Sequence, residues 1–249
     1  MSTPLSTTAS AEHVRGLVEN EIDPLRYGGQ SDDPKESPGI VLSYIPKGAR
    51  VLDVGCGTGS ITRLIRDLRD ARIIGLEPNA DRAQAARESG LEIINDVFTR
   101  ETVAGLPPFD VVVFADVLEH LVDPAAALEV ACTLLAPGGA IVASVPNVAH
   151  WTVRYELLCG RFDYRDLGIM DATHLRWFTA GNLQRLFRSC GLHVERYAGS
   201  AGLWMNEYRD RRPFTWFHPE RREQFVLAGV RRWPGLFACQ HVVRAALPP

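Results

Sequence analysis

The sequence predicts an α/β fold, a doubly wound and mostly parallel sheet, and three observations carry that prediction. Residues 50–59 read R-V-L-D-V-G-C-G-T-G, a short apolar strand (Val51, Leu52, Val54) running straight into a glycine-rich loop. A helix pattern follows at once, with Ile61, Leu64, Ile65 and Leu68 spaced for one face. Strand, glycine loop and helix together are the nucleotide end of a doubly wound sheet. Residues 109–114, F-D-V-V-V-F, are almost wholly β-branched or aromatic, with none of the alternation of a half-exposed strand. Such a run belongs to a parallel sheet covered on both faces.

The remaining elements fit that frame in order. Residues 11–20 read as a short helix after a small, polar start, and 28–38 as a loop rich in Gly, Asp, Pro and Ser. Residues 38–44 form a short helix that Pro46 ends before the first strand. Residues 72–76 are the second strand, closed by Glu77; Pro78 and Asn79 turn the chain into a helix over 80–89 that stops at Gly90. Residues 91–95 are the third strand. After the fourth strand, Asp123 is an N-cap with Pro124 at the first helical position, and the helix runs to Leu135. Pro137-Gly138-Gly139 is a turn before the fifth strand, 140–145. Thr179 caps a helix ending at Gly191, and 193–197 is the sixth strand. A helix over 219–230 precedes a final strand at 237–245.

Two stretches interrupt this rhythm. Residues 146–178 are too long for an ordinary connection and carry His150, Trp151, Tyr155, Phe162, Tyr164, His174, Trp177 and Phe178. Residues 200–235 are a second insertion, with Trp204, Trp216, Trp233 and arginines at 209, 211, 212, 221, 222, 231 and 232. Insertions at the carboxyl edge of a parallel sheet are where substrate lids sit. The chain divides into an N-terminal tail and cap helices (1–45) and one α/β domain (46–249) that contains both lids.

Composition narrows the class. The chain has 249 residues, 46% hydrophobic and 23% charged, the profile of a soluble globular protein. A formal net charge of −3 leaves no overall footprint for nucleic acid, so such a partner is not expected. The five cysteines are odd in number and form no C-x-x-C pair, which fits a reducing cytoplasm better than a disulfide framework or a zinc site. No signal peptide and no run long enough to span a bilayer is evident.

The glycine spacing is G-x-G-x-G, which departs from the dinucleotide fingerprint G-x-G-x-x-G. It resembles the first motif of the class I S-adenosylmethionine (SAM) methyltransferases. Four further pieces follow in the family's order: G-L-E-P, N-D-V, F-D-V-V-V-F-A-D-V-L-E-H-L and L-L-A-P-G-G. With D-A-T-H-L-R-W-F-T at 171–179, the chain is most similar to the group that includes ubiquinone-biosynthesis-like, polysaccharide and natural-product O-methyltransferases. The resemblance implies a seven-stranded Rossmann-like sheet with an antiparallel last strand. It implies SAM as cofactor, with S-adenosyl-L-homocysteine as product.

It also implies residue roles. Asp53 and the loop residues Gly55, Cys56, Gly57 and Gly59 surround the methionine part. Glu77, followed by Pro78, accepts from the ribose hydroxyls; the plain alternative is a strand-end carboxylate. Asp96 and Val97 lie at the adenine, or Asp96 only forms a turn. Asp116 binds the methionine end or the substrate, and Tyr27 is a further contact or a packing residue. The implied reaction is an in-line displacement at a methyl group, in which the protein aligns the acceptor and excludes water.

An oxygen acceptor must lose a proton, so the candidates for catalysis are His120, His150, His174 and Asp171, each also readable as a hydrogen-bonded lid residue. No metal is expected. The alternative is a mixed site of Asp116, Glu119, His120 and His174, the first three sharing one face if they form a helical turn; the small-RNA 2′-O-methyltransferases use a similar E-x-x-E-H with a later histidine.

The reading is a cytoplasmic methyltransferase, monomer or homodimer, acting on a small or medium-sized metabolite at a hydroxyl oxygen. The alternatives are N- or C-methylation by the same fold, a metal-dependent RNA 2′-O-methyltransferase, a non-catalytic SAM-binding partner, and an NAD-dependent oxidoreductase, against which the glycine spacing argues. The arginine cluster is a solvated face or a site for an anionic substrate such as a nucleotide sugar.

Overall fold

The computed structural model describes residues 30–210 and 214–248. The expected helix over 11–20, Tyr27, Arg211 and Arg212 lie outside the described residues. The elements are α1 (Ser37–Ser43), β1 (Arg50–Val54), α2 (Ser60–Arg69), β2 (Arg72–Leu76), α3 (Ala80–Glu88), β3 (Glu92–Ile94) and β4 (Phe109–Ala115). A 3-10 turn (Leu118–His120) leads to α4 (Pro124–Thr133), β5 (Leu135–Pro146), α5 (Trp151–Leu158), α6 (Ala180–Ser189) and β6 (His193–Gly199). The chain ends with α7 (Asn206–Arg209), a 3-10 turn (Phe214–Trp216), α8 (Pro219–Arg232), α9 (Pro234–Phe237) and β7 (Gln240–Ala246).

The seven strands form one sheet in the order β3-β2-β1-β4-β5-β7-β6. β7 runs antiparallel to both its neighbours, β5 and β6, and the other pairs are parallel. The winding reverses between β1 and β4, so their carboxyl ends flank a crevice where ligands of such sheets bind.

β4 shows why its sequence is apolar throughout. Val111 and Val113 face α1 and α2, together with Val41, Ile65 and Val142. Val112 and Phe114 face the other layer, with Leu128, Leu183 and Phe187 from α4 and α6. Successive side chains point to opposite faces, and both faces are covered. The helix starts follow their caps. Asp123 accepts from the Ala126 amide at 3.0 Å. Thr179 and Asn182 form a reciprocal capping box at the start of α6.

Three expectations change. Leu68 is 46% exposed rather than inward, and Thr62 is fully buried in its place. The helix face is turned so that the Thr62 hydroxyl donates to Asp53 Oδ2 at 2.7 Å. Pro137-Gly138-Gly139 does not end one element before another. β5 already begins at Leu135, and the turn is a bulge within it where the register with β4 jumps between Phe109↔Leu135 and Val111↔Ala140. The last strand starts at Gln240, because Phe237 still belongs to α9.

The two insertions form one unit. Val153, Ile169 and Met170 from the first pack with Met205, Tyr208, Phe214 and Val226 from the second in a core separate from both faces of the sheet.

Candidate functional site

A cleft of about 1270 Å³ opens at the carboxyl ends of β1, β2 and β4. One wall is the glycine loop. Gly55 and Cys56 both donate to the Leu76 carbonyl, at 2.7 and 3.1 Å, which stitches the loop to the end of β2. Gly55 has φ +67, and a Cβ there would meet Val117 Cγ2 at 2.8 Å. Gly57 has φ +58, but its absent Cβ would meet nothing within 4 Å. At Gly55 the glycine lets two loops approach; at Gly57 it leaves bare backbone facing the cleft.

Glu77 ends β2 and is 3% exposed. Its Oε2 accepts from the Gly57 amide and its Oε1 from the Asn79 amide, each at 2.9 Å. Each oxygen keeps a lone pair for another donor. Asp53 lies beneath the loop, and burial pushes its carboxyl up to about 7, with Thr62 opposing and Glu77 adding to the rise. Cys56 lines the cleft but turns its sulfur toward Gly75, where a Cβ would meet Sγ at 2.7 Å, and burial pushes its thiol up. Pro78, Val97 and Phe98 also line the cleft. Asp96 does not: it is exposed, and its Oδ1 accepts from the neighbouring Val97 amide at 2.7 Å.

The opposite wall comes from the turn after β4 and from the lid. Asp116 has φ +56, one of two non-glycine residues with positive φ among the described residues. Ser144 Oγ and Gln240 Nε2 donate to its Oδ1 at 2.9 and 2.8 Å. Burial raises its carboxyl, and those two donors oppose the shift. The left-handed backbone at Asp116 interrupts any helix, so Asp116 does not share a helical face with Glu119 and His120, the condition on which the alternative four-residue site depended. It is fastened to β5 and β7 instead.

Glu119, His120 and His174 do come together. One potential ligand atom from each lies within 4.8 Å of the other two. The imidazoles of His120 and His174 meet edge to face at 4.9 Å between centroids. Each turns Nδ1 to a backbone carbonyl, Thr173 and Ile169 respectively, at 3.2 Å. A carbonyl only accepts, so Nδ1 carries the hydrogen and Nε2 the lone pair. Glu119 is 1% exposed, and neither carboxylate oxygen meets a donor among the described residues. Burial, and then the nearby Asp116, hold its carboxyl well above the usual range. The lid is sewn to this turn by the amides of Leu175 and Arg176, which donate to the Glu119 carbonyl at 2.8 and 2.9 Å.

Asp171 lines the cleft and is buried, with Oδ1 accepting from the Thr173 amide at 2.8 Å. His150 does not line the cleft, which removes it as a base. It is fully buried in the lid core, with Nδ1 at 2.8 Å from Thr152 Oγ1 and Nε2 at 2.9 Å from the Tyr208 hydroxyl. Burial lowers its pKa to about 4. Of the arginine cluster, none of Arg209, Arg221, Arg222, Arg231 and Arg232 lines the cleft.

Several cleft residues escaped the sequence reading. Gln240 lies 124 residues from the Asp116 it touches, and no local pattern marks it. Glu36, whose carboxylate accepts from the Gly202 and Leu203 amides at 3.1 and 2.9 Å, ties the segment before α1 to the cleft rim beside Trp204. Thr62 alone had a readable signal, a hydroxyl one turn into the helix that follows the glycine loop.

A family model of a methyltransferase domain matches residues 37–197. The chain belongs to the class I SAM-dependent methyltransferases. A ubiquinone biosynthesis O-methyltransferase of Xanthomonas euvesicatoria pv. vesicatoria is 36% identical over 169 residues, 65% of this chain and 70% of that protein. One from Stutzerimonas stutzeri is 37% identical over 106 residues, 40% of this chain and 45% of that protein. A Haemonchus contortus phosphoethanolamine N-methyltransferase 2, solved in complex with SAM, shares the fold at a TM-score of 0.56 and 13% identity, over 85% of this chain and 52% of that one. The bare backbone at Gly57 and the lone pairs left on Glu77 suit an adenosyl group, so the methyltransferase's cleft fits its cofactor.

Proposed function

We propose that this methyltransferase transfers the methyl group of SAM to a hydroxyl oxygen of a small or medium-sized metabolite. The single observation that carries the proposal is the meeting of two walls in one cleft. The glycine loop with Glu77 faces a group of proton-accepting side chains, Glu119, His120 and His174. The O-methyltransferase relatives support the same reading.

SAM supplies a methyl group on a sulfonium, already a good electrophile. The chain's own part is to bind, orient and handle one proton. Glu77 takes the ribose hydroxyls on its remaining lone pairs. Val97 and Phe98 cover the adenine, and Asp96, outside the cleft lining, holds the turn that presents Val97. Asp53, Gly55, Cys56, Gly57 and Asp116 surround the methionine end, whereas Gly59, expected there too, does not line the cleft: its missing side chain makes room for Leu91 and Ala86. Glu119, His120 and His174, with Asp171 behind them, meet the acceptor hydroxyl, and aligning it with the methyl group removes the orientational part of the barrier.

The charge of the cleft narrows the acceptor. Asp33, Glu36, Glu119 and Asp171 line the acceptor side, whereas the arginines lining the cleft among the described residues, Arg82 and Arg100, follow β2 and β3. This favours a neutral acceptor over a nucleotide sugar or an RNA backbone, which would need cations there. No helix of the described residues is long and apolar enough to cross a membrane.

The test is transfer from methyl-labelled SAM to matched phenols, sugar hydroxyls, amines and carbon acids. Label is expected on oxygen alone. His120→Ala and His174→Ala should each lower kcat by roughly 100-fold or more while SAM affinity holds, the usual scale for losing a group that handles a proton. Label on nitrogen or carbon would overturn O-methylation. SAM binding with no transfer to any acceptor would favour the non-catalytic reading.

A further inference from the structure

Glu119 is the least comfortable side chain in the described structure. It is a carboxylate, 1% exposed, and neither oxygen has a hydrogen-bond donor among the described residues. A buried carboxyl without a hydrogen-bond partner is destabilising, and a fold keeps such a group where something else completes it. Its surroundings indicate what that is. His120 and His174 put one ring nitrogen each close by, and all three donor atoms lie within 4.8 Å of one another.

We propose that Glu119, His120 and His174 form a three-ligand site for a divalent first-row transition cation of the Zn²⁺ or Mn²⁺ kind, with coordination positions left open toward the cleft. Two imidazoles and one carboxylate are the donor set of such ions, whereas Mg²⁺ and Ca²⁺ prefer oxygen alone. Ligand bonds of about 2.0–2.2 Å require the three donors to close by about 1 Å, within the reach of side-chain rotation.

The surrounding contacts are those of a metal site. Nδ1 of each histidine is on a backbone carbonyl, which fixes the orientation of the ring. The ligands come from two segments, the turn after β4 and the lid. The amides of Leu175 and Arg176 on the Glu119 carbonyl lock the two together. Asp116 is outside the set: Ser144 and Gln240 both donate to its Oδ1, and it anchors the turn.

The consequence for chemistry rests on the O-methylation reading. An acceptor hydroxyl bound in an open position loses its proton to solvent at a lower pH than it would in water. Its oxygen lone pair then forms the bond to the methyl carbon as the carbon–sulfur bond breaks and leaves its electrons on sulfur. With the ion in place, the two histidines act as ligands rather than as bases.

The test uses the full chain, stripped with a chelator and saturated with S-adenosyl-L-homocysteine, titrated calorimetrically with MnCl2, ZnCl2 and MgCl2, with metal content measured after dialysis. One Mn²⁺ or Zn²⁺ per chain is expected, bound at least tenfold more tightly than Mg²⁺. Glu119→Gln and His174→Ala should each weaken that binding at least 100-fold. Circular dichroism and homocysteine-product binding report that each variant is folded. No stoichiometric ion, a preference for Mg²⁺, or binding untouched by Glu119→Gln would overturn the site. Hydroxyl methylation by metal-free protein would overturn the site and leave the O-methylation reading standing. A stoichiometric ion with label only on nitrogen or carbon would do the reverse.

Discussion

Two carboxylates beneath the glycine loop set the behaviour of the cofactor wall. Asp53 is buried and its carboxyl is raised from 3.8 to about 7. The folded state therefore holds this proton more tightly than the unfolded chain. Its contribution to stability is greatest at low pH and is lost as pH climbs from about 4 to about 7. Asp53→Asn removes that loss. In cofactor-free protein, the variant should match wild type near pH 4 and exceed it by a few kcal/mol at pH 8, at about 1.4 kcal/mol per pKa unit. Denaturant unfolding across that range checks it, and a constant difference would show that Asp53 does not titrate there. Glu77 does the opposite kind of work, with both oxygens oriented by backbone amides. Glu77→Gln puts an NH2 group against one of those amides and removes a charged acceptor, worth about 1.5–3 kcal/mol. SAM affinity should fall roughly 10- to 100-fold by calorimetry, and the cofactor-free protein should also melt lower, because one of the two backbone amides loses its acceptor.

The elements that differ from expectation do so through contacts between them. The P-G-G turn stays in β5 because β4 continues alongside it and absorbs the extra residues as a bulge. The two insertions, far apart in sequence, share one core around Tyr208. Its hydroxyl accepts from Trp151 Nε1 at 2.9 Å and meets His150 Nε2 at the same distance. Tyr208→Phe strands both groups in a buried place, at a cost of about 1–3 kcal/mol. Thermal unfolding should register that loss, while SAM affinity stays at the wild-type value because the glycine loop is untouched. A parallel loss of SAM binding would mean that the lid and the cofactor wall are one cooperative unit.

The whole molecule places its cleft where the sheet reverses direction, between β1 and β4. It closes the cleft with parts drawn from the entire described chain. Glu36 reaches the backbone of Gly202 and Leu203, and Gln240 at the start of β7 reaches Asp116 behind β4. A ligand that engages these parts only in the folded state stabilises the whole fold. SAM at a hundred times its dissociation constant should add about 2.7 kcal/mol. For a chain of this size that is a rise of roughly 5–10 °C in Tm. NAD at the same concentration should give none. A shift with NAD and none with SAM would reverse the cofactor assignment.

By itself the sequence determined the α/β class, nearly every strand, the helix caps at Asp123 and Thr179, and the glycine loop with Glu77. These depend on local rules: apolar runs, capping side chains and the need for bare backbone at a tight turn, all readable within a few residues. It also singled out His120 and His174, because a motif and an unusual insertion flagged them. The sequence also offered, as an alternative, one site of Glu119, His120, His174 and Asp116; tertiary structure alone decided that Asp116 is held away from the other three by Ser144 and Gln240 and that His150 belongs to the lid core. Such pairings depend on which loops the sheet order brings to one edge and on which side chains lose their water there. Separation in sequence carries no record of either.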